Sequence, residues 1–214
     1  MPETVAILIC TYGDRAKWDI LAARAEASVQ RQRRAPDRFI RFHGKNLQHA
    51  RTYAVDLVKP TDWLCFCDAD DELEEGYLEA MMKGSGDLRY PSVRYVSDNV
   101  VNPSSYPPPQ VLPRRPLLCG NFMVIGTLVR RSQFLRVGGF DDYEAYEDWA
   151  LWIKCWIDGA KISLCRDAIY RAHMTPGGRN IVKDPMEIFE RILRDMKPRA
   201  VAKGLINEYS SIGR

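Results

Sequence analysis

At 214 residues, 46% of them hydrophobic, the chain is sized for a single domain (1–214) with one shared core. A formal net charge of +3 names no partner, and six cysteines without a C-x-x-C pair exclude a zinc site or a disulfide framework. The opening "MPETVAILICTYGDR" has no basic n-region and too short an apolar run to span a bilayer, so a cytoplasmic, reduced protein is expected.

In chain order, "VAILIC" (5–10) is a β-branched run of the kind that forms a strand covered on both faces. After "TYGD", Asp14 is placed to cap a helix with Trp18, Leu21, Ala22, Ala25 and Val29 on its apolar stripe. "RFIRF" (38–42) predicts a second strand, and Asn46 caps a second helix that buries Leu47, Ala50, Ala54 and Leu57. "WLCFC" (63–67) predicts a buried strand and "LEEGYLEAMMK" (73–83) a helix. Strands alternating with helices imply right-handed βαβ crossovers and a parallel sheet. Six prolines between 103 and 116 forbid regular structure and predict a long loop over the sheet. "NFMVIGTLVRR" (121–131) reads as a strand, with Ser132 capping a short helix ended by Gly138-Gly139. "YEDWALWIKCWIDG" (146–159) reads as a helix with Trp149, Trp152, Ile153 and Trp156 on one face, more suited to core than to sugar stacking. "KISLC" (161–165) is a further strand, and "DPMEIFERILRDM" (184–196) a helix with Asp at its N-cap and Pro at N1.

Four carboxylates, Asp68, Asp70, Asp71 and Glu72, crowd the end of the buried 63–67 strand. In an open parallel sheet, ligands bind beyond the carboxyl ends of the strands. Acids gathered there raise each other's pKa until a cation neutralises them. Hard oxygen ligands suit Mg²⁺ or Mn²⁺, with diphosphate oxygens completing the shell. The plain alternative is that acids occupy the first turn of the 73–83 helix, which is the role expected of Glu72, Glu74 and Glu75. An EF-hand is excluded because Leu73 stands where that loop requires Gly. A second acid pair, Glu147-Asp148, opens the tryptophan-rich helix, where a catalytic base and ordinary first-turn acids are equal readings. Residues 24–51 carry eight Arg or Lys against Glu26 and Asp37, a solvated face or a grip on phosphate.

The strand–"DADD" junction, the "GGFD" turn (138–141) and "EDWALW" (147–152), in that order over residues 5–175, resemble the family 2 glycosyltransferases of the GT-A fold. "ILICTYGDR" corresponds to that family's strand–"TYN" opening, and "YRAHMTPGGRN" (170–180) to its late basic-and-histidine segment. The resemblance implies an α/β fold of GT-A type, a Rossmann-like, mostly parallel sheet flanked by helices, with an acceptor-side loop region and a C-terminal helix. It divides the domain into a nucleotide-sugar-binding half (1–90), an acceptor and catalytic half (91–180) and a helical tail (181–214). It also implies a metal-dependent, inverting transferase that moves a sugar from a nucleoside-diphosphate donor, UDP-sugar by default, to a hydroxyl by direct displacement. Asp68 and Asp70, flanking Ala69, would hold Mn²⁺ or Mg²⁺ on the diphosphate, with His173 as a further ligand. Asp148 would be the base, assisted by Glu147. Thr11 and Tyr12 would meet the nucleotide, Tyr12 by stacking on the base or simply by packing. Arg179 would reach a phosphate or remain a surface residue.

One element departs from the family. Its acidic "DDGS" turn after the second strand is replaced by "RFHGKN" (41–46), which leaves Asp14 to take part of the nucleotide-reading task and Lys45 or Arg51 to contact phosphate. A glycan, a protein and DNA bearing hydroxymethylated bases all suit the sequence as acceptor. Two alternatives stand beside the transferase. One is a nucleotidyltransferase or nucleotide-sugar pyrophosphatase with the same sheet-end metal, against which the lack of a glycine-rich phosphate loop counts. The other is a non-catalytic nucleotide-sugar-binding module, supported by the missing acidic turn.

Overall fold

The computed structural model describes residues 2–97, 100–101, 117–174 and 184–207. The proline-rich stretch 103–116 and Arg179 lie outside the described residues. Strand β1 (Val5–Tyr12) leads through α1 (Arg15–Gln30), β2 (Arg38–Gly44) and α2 (Leu47–Leu57) to β3 (Trp63–Cys67). Then come β4 (Glu72–Leu73), α3 (Tyr77–Lys83), β5 (Leu88–Ser97) and β6 (Val100–Val101). The remainder is β7 (Leu128–Arg130), α4 (Arg131–Arg136), α5 (Glu147–Ile157), β8 (Ile162–His173) and α6 (Pro185–Ala202).

The strands form one mixed sheet in the order β2-β1-β3-β7-β5-β8-β4, with β6 attached to β5. The doubly covered runs are where the core sits: Val5 to Ile9 and Trp63 to Cys67 are buried throughout. Pairing is parallel in β2-β1-β3 and in β5-β8, and antiparallel where β7 joins these two blocks and where β4 meets β8. Following the directions across the sheet, the carboxyl ends of β1, β2, β3, β5 and β8 and the amino end of β7 all face the same edge. Strand β7 spans only three residues and pairs with β5 only at Leu88 and Arg89. Past Arg89, β5 runs on against β8 without β7, so the sheet opens between the ends of β3 and β5. That opening holds the cavity described below.

Several sequence expectations change in the folded chain. The helix expected over 73–83 begins only at Tyr77, after Gly76, because Glu72 and Leu73 pair with Arg171 and Tyr170 as a strand. The strand expected over 121–131 is paired only at 128–130. Its alternation is real, with Met123 and Ile125 buried and Phe122 and Val124 half-buried, but it packs against the core without a ladder and turns at Ile125-Gly126. Ser132 lies exposed inside α4 and makes no cap. On α2, Leu57 is 47% exposed while Arg51, a cation, is 2% exposed on the buried side. Asp14, Asn46 and Asp184 accept from the first-turn amides of α1, α2 and α6, as their spacing predicts.

Candidate active site

The acids after β3 converge. One carboxylate oxygen each from Asp68, Asp70 and Asp71 lies within 4.8 Å of the others. Such charge is tolerated because the turn that carries it is held from below. The Asp68 amide donates to the Tyr170 hydroxyl at 3.2 Å, and that hydroxyl donates to Asp71 Oδ2 at 2.7 Å. The His173 amide donates to Asp71 Oδ1 at 2.8 Å, so both oxygens of the buried Asp71 carboxyl are engaged. Burial, then the Asp68 charge, pushes the Asp70 carboxyl up to about 6. Burial and both neighbouring acids push Asp71 well above the usual carboxylate range. Arg24 of α1 donates to the Asp70 carbonyl and brings a cation beside the cluster.

The support under this turn depends on a glycine. A Cβ at Gly126 would drive into the Tyr170 ring and lie 2.8 Å from Tyr77 Oη, with both tyrosines fully buried. Gly126→Ala is therefore expected to cost about 1–3 kcal/mol by overpacking and to dislodge the Asp68–Asp71 turn. A urea melt that matches wild type would show that the tyrosines have room to yield.

The second acid pair comes from the start of α5. Tyr146, just before it, has φ 59, the one described non-glycine residue in the left-handed region. The turn this makes brings Glu147 and Asp148 to the cavity wall. Arg51 joins the two acidic groups. Its guanidinium donates to Glu147 Oε1 at 2.5 Å and to Asp68 Oδ1 at 3.0 Å, and its Cζ sits 4.7 Å from the Phe140 ring centroid. Burial opposes the Arg51 charge, but Glu147 and Asp68 more than offset it and hold its pKa above the ordinary value. Asp148 is not part of this bridge; its Oδ1 accepts from the Trp149 amide at 2.8 Å. Burial, then the Glu147 charge, pushes the Asp148 carboxyl up to about 7 against the pull of Arg51.

A cavity of about 590 Å³ opens over these groups. It brings together Thr11, Tyr12, Arg51, Asp68, Ala69, Asp70, Glu147 and Asp148 from the sequence reading. Three expected residues stand apart. The Asp14 side chain is used by the Ala16 and Lys17 amides as the α1 cap, and it does not line the cavity. Lys45 is exposed and does not line the cavity. His173 is buried with its Nε2 bonded to Glu72 at 2.8 Å, and it is not a member of the carboxylate cluster. Burial lowers the His173 pKa, with the Glu72 bond working the other way. Glu72 is thus no helix-capping acid but the partner of His173 and Arg31, while Glu74 pairs with Arg94. Arg51, expected at a phosphate, instead ties two carboxylates. The sequence holds a signal for this, since Leu47, Arg51 and Ala54 follow helical spacing on one face and a cation there requires a buried acid.

No family model matches the chain. No curated protein matches it in sequence. Solved structures do match it in shape. Residues 1–349 of S. aureus TarS in complex with UDP-GlcNAc superpose with a TM-score of 0.71 at 14% identity, over 92% of this chain and 66% of that one. The fold is of the GT-A type. The longer S. aureus TarS superposes with a TM-score of 0.61 at 13% identity, over 94% of this chain and 44% of that one. TarS 1–349 in complex with UDP superposes with a TM-score of 0.58 at 14% identity, over 94% of this chain and 72% of that one. The chain thus spans just under two thirds of the first of these structures, 66%, and under half of the longer one, 44%. No described helix is long and apolar enough to cross a membrane.

Proposed function

We propose that the chain is a glycosyltransferase of the family 2 type, which binds a nucleoside-diphosphate sugar in this cavity and passes the sugar to a hydroxyl acceptor with inversion. The observation that carries the reading is one cavity holding two separate acid groups, Asp68/Asp70/Asp71 and Glu147/Asp148, at the carboxyl edge of a GT-A sheet. The likeness to TarS, solved with UDP-GlcNAc and with UDP, supports a nucleotide-sugar donor.

The residues fit a divalent cation. With both Asp71 oxygens engaged by Tyr170 and His173, Asp68 and Asp70 are left to hold it, which matches the one or two carboxylates that Mg²⁺ or Mn²⁺ takes. Such an ion would neutralise the diphosphate of the donor. The chain's own part in transfer falls to the second pair. Asp148 accepts the proton of the acceptor hydroxyl as its oxygen bonds to the anomeric carbon. The bond from that carbon to the diphosphate breaks, and its electron pair leaves with the nucleotide. A pKa near 7 gives Asp148 enough basicity for the task while leaving much of it ionised at neutral pH. Glu147, fixed on Arg51, keeps the α5 terminus in place. Tyr12 and Trp18 line the α1 side of the cavity, where a nucleobase would meet aromatic rings and no carboxylate from the turn after β2.

A thermal-shift screen of UDP-, GDP-, TDP- and CMP-sugars, each with Mn²⁺, Mg²⁺ or EDTA, tests this reading. One donor should stabilise wild type only with a divalent ion, and Asp70→Asn should lose the response. If no donor stabilises the protein under any metal condition, the transferase reading fails and the acids are structural.

A further inference from the structure

Resting on that transferase reading, we propose that the acceptor is uncharged and presents an apolar or aromatic face beside its reacting hydroxyl, as an alkyl or aryl glycoside does, and is not a phosphate-bearing polymer. The sheet order divides the cavity. On one side of Asp68–Asp71, β1, α1 and α2 supply Thr11, Tyr12, Trp18 and Leu47. On the other, β5, the 121–125 segment and the end of β8 supply Val93, Tyr95, Phe122, Val124, Ile125 and Met174. Among the described lining residues on that second side, no Lys or Arg occurs, and the charges it reaches are the acids Glu147 and Asp148. Arg51, the one described cation that lines the cavity, is committed to Asp68 and Glu147. Among the described residues, a polyanion entering there would meet like charge and no free counter-charge.

The apolar wall is also rigid enough to select. Phe122 is half-buried and braced edge-on by the buried Tyr90, with ring centroids 5.6 Å apart, so one part of it stays fixed towards the cavity. Val93, Tyr95 and Val124 are likewise half-buried, and Met174 is 45% exposed at the mouth. Such a surface gains by being covered with an apolar or flat aromatic group.

The test uses the donor found by the thermal screen and follows nucleoside-diphosphate release. The acceptors are octyl and 4-nitrophenyl glycosides of neutral hexoses, the free hexoses, and a DNA duplex carrying 5-hydroxymethylcytosine. Alkyl or aryl glycosides should turn over at least about tenfold faster than free sugars, with none on DNA. Phe122→Ala, and independently Val93→Ser, should raise the glycoside KM about tenfold with the donor KM held. Preference for DNA, equal use of free and aryl sugars, or a rise in donor KM for both variants would overturn the assignment. A chain that binds a donor and shows one of these results fails this inference alone. A chain that neither binds nor cleaves any donor fails the transferase reading and this inference with it.

Discussion

Asp148→Asn is expected to lower transfer by about 10²–10⁴-fold while making the protein more stable at pH 8. The two effects have one origin. Burial and the neighbouring Glu147 raise the Asp148 carboxyl from its ordinary 3.8 to about 7. Between those values the unfolded chain gives up this proton and the folded chain keeps it. Stability is therefore lost as pH climbs from about 4 to about 7, and the loss is complete above that. Each tenfold gain in proton affinity on folding is worth ~1.4 kcal/mol, and solvent in the cavity screens part of it, so the cost at pH 8 is about 1–3 kcal/mol. Asparagine does not ionise and escapes the cost. Urea unfolding at pH 4 and pH 8 measures it: the variant should match wild type at pH 4 and exceed it at pH 8. In parallel, wild-type kcat/KM should rise through about pH 7 as the base loses its proton. A rate that stays flat across that interval would remove Asp148 from the role of base.

Arg51→Met should move stability the opposite way. Methionine keeps much of the buried stem volume but leaves Asp68 and Glu147 without the guanidinium that lies 3.0 and 2.5 Å from them. Removing one partner of a buried pair while the other stays costs about 3–5 kcal/mol, and here it falls mainly on Glu147, because the Asp68 side chain is 42% exposed and water can reach it. The physical source is two like charges left facing one another across the gap that the guanidinium filled. Arg51→Lys should recover only part of the loss, because a single ammonium cannot fork to two carboxylates on different elements. The comparison is of urea midpoints for the three proteins at pH 8. Equal midpoints for wild type and Arg51→Met at pH 8 would mean that water, not Arg51, carries these acids. Transfer should fall in both variants, since the guanidinium ties the Asp68 turn to the start of α5.

Much of this site was legible in the chain because its signals are local. A buried apolar run such as Trp63 to Cys67 forms a strand wherever both faces are covered, and acids directly after it must emerge at the strand's carboxyl end. Asp14, Asn46 and Asp184 announced helix starts because a cap needs only a side-chain oxygen and amides two or three residues on. The order of the acid motifs along the chain was enough to suggest the GT-A fold. Pairings between distant residues were not legible. Glu72 looked like a helix acid until β8 ran beside it and gave it Arg171 as a ladder partner and His173 as a hydrogen bond. Arg51 looked like a phosphate ligand until the fold placed acids 17 and 96 residues away on either side of it. Nor does periodicity say that β7 stops at three residues, although that short strand is what leaves β5 without β7 past Arg89 and opens the cavity. Neighbours along the chain suffice to mark most strands and helices and the acids that end the buried strand; β4 and the short β7 are exceptions, because their extent is set by pairing with β8, β3 and β5. Which charges meet and where the sheet parts depend on distant segments that compete for the same buried space, so these emerge only in the folded chain.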